Sequence, residues 1–157
     1  MLFCNKNKVI SAYNTTGEAS TTTTCDFVSL GLYNHFTAIV DISNCDSTAT
    51  TIVLRKATST TGAGEADGPF HYFYDTDSSA TGTDLLTDGG DSTSAVTISS
   101  GDDQLYVIEG DSRDLGDYDC VTVQLSPSSG IQFNVDYVLS EPRYADAAPP
   151  TATSTSY

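Results

Sequence analysis

Between Gln104 and Leu139 apolar and polar residues alternate with a period of two. Val121, Val123 and Leu125 fall on one side, with Cys120, Thr122 and Gln124 on the other. After Ser126-Pro127-Ser128-Ser129-Gly130 the alternation resumes: Ile131, Phe133, Val135, Tyr137 and Leu139 oppose Gln132, Asn134 and Asp136. Successive strand side chains point to opposite faces, so this pattern predicts strands with one buried face. Two such runs joined by a short Pro/Ser/Gly segment predict a β-hairpin. Leu105-Tyr106-Val107-Ile108 predicts a third strand before it.

The same reading extends towards the N-terminus. Phe36, Ala38, Val40 and Ile42 alternate with Thr37, Ile39 and Asp41, and Ile52 and Leu54 alternate with Val53 and Arg55. The polar turn from Ser43 to Thr48 between them predicts a second hairpin. Phe70 to Tyr74 is a compact aromatic strand, and Val96 and Ile98 mark a short one. Residues 57–69, 75–93 and 110–119 are polar, Gly-rich or acidic and are expected to be loops. No stretch follows a 3.6-residue period. Residues 1–25 are expected to form an N-terminal arm, 26–144 the folded domain and 145–157 a C-terminal tail, where Pro149 and Pro150 oppose strand and helix alike. The fold class is all-β: a single-domain β-sandwich or jelly-roll-like barrel with extended N- and C-terminal arms.

A chain of 157 residues can bury a core of its own, and nine Tyr and six Phe lift a modest apolar fraction of 38% above that of disordered chains. Charge narrows the partners. Twenty-one acidic residues against six basic ones give a net charge of −15. That surface repels phosphate backbones and anionic lipid, so neither nucleic acid nor membrane is an expected partner. No export signal or membrane-length apolar run is visible, and the expected product is cytosolic. Cys4, Cys25, Cys45 and Cys120 are too far apart for a zinc motif, and reduced, buried thiols are expected.

Candidate chemistry is sparse. Asp75-Thr76-Asp77-Ser78-Ser79 opens like a calcium loop, but Ala80 stands where such a loop needs glycine and Leu86 where it needs an acid. Asp111, Asp114, Asp117 and Asp119 offer oxygen ligands, yet such a run is expected to be a solvated loop. His35 and His71 lack the flanking pattern of a metal site or catalytic triad. No catalytic, metal or cofactor residue is therefore assigned, and the chain is not expected to be an enzyme. A carbohydrate-binding or adhesin module is an alternative; without Trp it would rely on Tyr72, Tyr74 or another tyrosine.

From Phe27 to Val40 (FVSLGLYNHFTAIV) and Thr51 to Thr58 (TIVLRKAT), the chain resembles small virion proteins of tailed bacteriophages. Gly62-Ala63-Gly64-Glu65, Leu105-Tyr106-Val107-Ile108-Glu109, Asp119-Cys120-Val121-Thr122-Val123 and Val138 to Ala145 (VLSEPRYA) continue the likeness in order, over roughly residues 26–147. The resemblance implies a structural role, as a capsid decoration (cement) protein on the head, or else as a head–tail connector or tail component. It implies the major capsid protein as partner, assembly as a dimer or trimer, manufacture in the host cytoplasm and residence on the capsid surface. Spaced apolar and basic residues at the two ends are the candidate partner contacts: Leu2, Phe3, Lys6, Lys8, Val9, Ile10 and Tyr13, with Arg143 and Tyr144.

Overall fold

The computed structural model describes residues 3, 6–14, 17–45, 49–76, 85–101 and 103–143. The strands are β1 (Lys8–Asn14), β2 (Thr23–Thr24), β3 (Val28–Ser29), β4 (Tyr33–Cys45), β5 (Thr51–Ala57), β6 (Ala66–Asp67), β7 (Phe70–Asp75), β8 (Thr87–Ser92), β9 (Val96–Thr97), β10 (Gln104–Asp111), β11 (Cys120–Ser126) and β12 (Ile131–Pro142). One sheet runs in the order β1-β12-β4-β10-β7-β8; the other is β2-β11-β5-β6, with β3 also on β11 and β9 also on β5. The pairings are antiparallel, and the two sheets enclose one core. The β-sandwich expected from the strand pattern is what forms.

The inward residues named by alternation are buried, while Cys120, Thr122 and Val53, on the opposite sides of their strands, are buried as well. Phe36, Ala38, Val40 and Ile42 of β4, Ile108 of β10, and Phe133, Val135 and Tyr137 of β12 are fully buried. They meet Leu54 of β5 and Val123 and Leu125 of β11 from the other sheet. Cys25, Cys45 and Cys120 are buried thiols. Burial pushes the Cys25 thiol up to about 12. Burial, then the neighbouring Asp119 carboxylate, which accepts its S–H at 3.2 Å, takes Cys120 to about 11.

Both predicted hairpins are replaced by crossings between the sheets. β11 and β12 lie in opposite sheets, as do β4 and β5. In a hairpin β11 would pair with β12. Instead β5 occupies one edge of β11, β2 and β3 share the other, and β12 is held between β1 and β4. A strand with one buried face alternates identically whether its neighbour in sequence lies beside it or across the core.

The segment expected to be an N-terminal arm enters the fold. β1 pairs with β12 from Lys8↔Leu139 to Asn14↔Asn134. The Tyr13 ring stacks on Phe133 with centroids 4.7 Å apart. A bulge at Ala12 breaks the ladder; this buried residue turns its carbonyl to the Asp26 N–H, 3.3 Å away. Strand pairing and stacking supply the stability that this polar segment lacks alone. The tail at 145–157 lies outside the described residues.

β8, TDGGDS, is a strand that composition hides. Residues 75–93 were expected to be a loop, yet Phe70 to Tyr74 pairs with Thr87 to Ser92. Gly89 sits at the bulge beneath the Tyr72 ring, where a Cβ would come within 2.1 Å of Tyr72 Cε2. Here glycine gives up β propensity for the close approach of an aromatic ring.

One cross-sheet chain of hydrogen bonds fixes the sheets against each other. Between β2 and β3, the Val123 carbonyl accepts from the Cys25 N–H at 3.0 Å, while its N–H donates to the Tyr137 hydroxyl, also at 3.0 Å. The Thr122 hydroxyl donates to the Cys25 carbonyl at 2.8 Å. Its oxygen is then the acceptor for the Tyr137 proton at 3.1 Å. Burial raises the Tyr137 phenol well above its ordinary range, keeping it a neutral donor. Tyr137→Phe leaves a buried N–H and a buried hydroxyl oxygen short of a partner and should destabilise by about 1–3 kcal/mol in denaturant melts. Deleting residues 1–13 should lower Tm by removing β1 from β12 and uncovering Phe133; an unchanged Tm would restore the independent arm.

Candidate functional site

The outward face of the six-stranded sheet forms lateral rows that can be read from the register. One row is Val9, Val138, Thr37, Glu109, His71 and Asp91 across β1, β12, β4, β10, β7 and β8. The next is Ser11, Asp136, Ile39, Val107, Phe73 and Asp88. A third holds Asn134, Asp41, Leu105 and Asp75. Ile39, Val107, Phe73 and Leu105 thus form an apolar centre, with Val9 and Val138 beside it. Val9 is 52% exposed and Ile39 38%; the other four are half-buried by their neighbours on the face. Asp41, Asp136, Glu109, Asp88 and Asp91 flank this centre, and the outward positions of the six strands hold no Lys or Arg.

Four of the six cationic side chains are engaged elsewhere. Arg55 pairs with Asp67 and, at 3.4 Å, with Glu65. Lys56 donates to the Leu115 carbonyl at 3.3 Å and lies over the Tyr118 ring. Arg143 donates through Nε to the Tyr33 carbonyl at 3.3 Å. Arg113 grips Asp111 at 2.8 Å, at the start of the 3-10 turn Ser112–Leu115, and its hydrogen bonds hold that carboxyl down at about 2.

At one border of the face both histidines line a cleft of ≈ 430 Å³ with Asp91, Glu109, Asp111 and Asp114. His71 offers Nδ1 to Asp91 at 2.8 Å and Nε2 to Asp88 at 2.9 Å. With a carboxylate at each nitrogen the ring is best matched as imidazolium, and its pKa is raised, chiefly by the Asp91 hydrogen bond. The cluster ties β7 to the edge strand β8. His35 stands 3.8 Å from Glu109, beyond hydrogen-bond range. Among the described residues no three His, Cys, Asp or Glu side chains converge as a metal site would require. The centre of the calcium-like stretch, residues 77–84, lies outside the described residues.

A second groove, of ≈ 510 Å³, opens where β1 and the segment around β3 diverge; Ile10, Phe27, Leu32 and Leu139 line it, with Lys8 and Asp26. The candidate contacts named from sequence are therefore split. Val9 lies on the outward face, and Lys8 and Ile10 in the groove. Ile10 and Tyr13 are half-buried and pack against the core, Tyr13 on the Phe133 ring, so these two act as internal contacts. Phe3 and Lys6 are exposed ahead of β1, and Arg143 is anchored beside Leu32. Leu2 and Tyr144 lie outside the described residues. Sequence reading did not single out Ile39, Val107, Phe73 and Leu105 as a group, because only the pairing of β4, β10 and β7 brings them together.

Raised above its ordinary value of 6.5, His71 contributes stability that is fully present below that pH and lost as pH rises through the folded-state value. The His71 ring should titrate by NMR above 6.5, and Asp91→Asn should return it towards that value. An Asp91→Asn variant with unchanged His71 titration would contradict the clamp.

No family model matches the chain, and no curated protein sequence matches it. A solved structure of the SPBc2 prophage-derived protein YomS is similar at a TM-score of 0.45 and 13% identity, covering 85% of this chain and 91% of that chain. A likeness of that degree assigns no function.

Proposed function

We propose that this chain is a structural protein of a tailed-phage virion, a capsid decoration protein that binds the head shell through the major capsid protein. The observation that carries this reading is the outward sheet face, where Ile39, Val107, Phe73 and Leu105 lie together without a covering element from the described chain. A broad, shallow sheet surface with an apolar centre suits docking on another protein, whereas small-molecule sites are concave and enclosing. The sequence resemblance to small virion proteins agrees with that use. Dimer or trimer formation, which shell symmetry favours, would use other surfaces, because apposing two copies of this face sets like charges against each other.

Mass spectrometry of purified particles tests the assignment. Head decoration predicts on the order of hundreds of copies per particle, following shell symmetry. About a dozen copies would instead mean a neck or tail position, where rings of low order are the rule. Absence from particles of the phage that encodes the chain would end the virion reading.

A further inference from the structure

We infer that the outward face of the six-stranded sheet is a docking surface for a protein partner with an apolar patch rimmed by Lys and Arg. This names the partner chemistry of the surface on which the proposed function rests. Charge complementarity carries the argument. The centre is Ile39, Val107 and Phe73 in one lateral row of adjacent strands β4, β10 and β7. That row is closed by Asp136 of β12 at one end and Asp88 of β8 at the other. Asp41 flanks Ile39 two residues along β4, on the same face. The outward strand positions hold no Lys or Arg, the His71 ring at the border is taken up by Asp88 and Asp91, and Arg55, Lys56, Arg113 and Arg143 are held by other groups of the chain.

Each class of occupant meets this pattern differently. Nucleic acid and anionic lipid are repelled by the acids. A second copy, face to face, would bring two apolar centres together but also two acidic rims, an arrangement that opposes association. A protein surface with an apolar centre and basic rim satisfies both parts: the apolar row is buried, and Asp41 and Asp136 gain the Lys or Arg partners that this face does not hold. Such a rim chiefly sets the association rate and its salt dependence, while the apolar centre sets the dissociation rate.

The test uses the full chain, isotope-labelled, with a synthetic hexapeptide of alternating Lys and Leu as probe and an alternating Glu and Leu peptide as comparator. Amide shifts should change at Ile39, Val107 and Phe73 with the Lys–Leu peptide and not with the Glu–Leu peptide. Asp41→Asn combined with Asp136→Asn should weaken binding by about threefold, as two exposed charges would. Ile39→Ser should weaken it as well, whereas Leu32→Ser, on the groove beside β1, should not. Circular dichroism and Tm of each variant separate lost binding from lost folding; the exposed Asp pair keeps the test open if Ile39→Ser unfolds. Shifts on the four-stranded sheet, shifts with both peptides alike, or no shifts would overturn the inference. So would a concentration-dependent dimer abolished by Ile39→Ser, which would make the occupant a second copy. Peptide binding on this face by a protein missing from virions would overturn the virion reading alone. Particle binding undiminished by the Asp pair and by Ile39→Ser would overturn this inference and leave the virion reading standing.

Discussion

The contact on which the sandwich depends is the reach of Tyr137 from the six-stranded sheet to the edge of β11. β2 and β3 are two residues each, and between them β11 has a gap in its ladder at Val123. An unpartnered N–H there would be buried and costly. The Tyr137 hydroxyl accepts it, and Thr122 passes the chain on to the Cys25 carbonyl. A side chain long enough to span the core also ties β12 to β11 at one point, through the Val123 N–H and the Thr122 hydroxyl. Its ring meets Phe36 at 4.9 Å, so the polar tip is delivered by an apolar body that is itself core.

That link holds in place the strand pair from which the outward face is built. Among the described residues β4 and β12 share the longest ladder, from Ile131↔Cys45 to Pro142↔Tyr33, and β10 extends it towards β7. Fixing Tyr137 inward fixes Asp136 and Val138 outward, and through the ladder fixes Ile39 and Thr37 beside them. The alternation that makes the core therefore also makes the surface: one face is sealed by the second sheet, and the other is left with an apolar row between carboxylates.

The inward residues were legible because burial imposes a period of two that survives any arrangement of neighbours. Val123 and Phe133, named by alternation alone, are fully buried. Which strand pairs with which was not legible. Ser126 to Gly130 looks like a hairpin turn but bridges the sheets, because the edges of β11 and β12 are taken by partners distant in sequence. β8 was hidden because Thr87-Asp88-Gly89-Gly90-Asp91-Ser92 has almost no β propensity and owes its place to the Tyr72 ring over Gly89 and to the His71 clamp. β1 reads as an arm because its apolar residues are few; the ladder with β12, the burial of Ala12 and the stacking of Tyr13 on Phe133 hold it in the sheet. The outward apolar centre escaped for a related reason. Ile39 reads as an interruption of a polar side until Val107 and Phe73 are set next to it.

Hydroxyl-radical footprinting of the protein, free and bound to its assembled shell, addresses the central claim directly. Side chains at the centre of the outward face, above all Phe73 and Ile39, should be oxidised in the free protein and protected on the shell, while Leu32 and Phe3 keep their reactivity. Protection confined to Leu32, Phe3 and the groove beside β1, with Phe73 and Ile39 as reactive as before, would contradict the account.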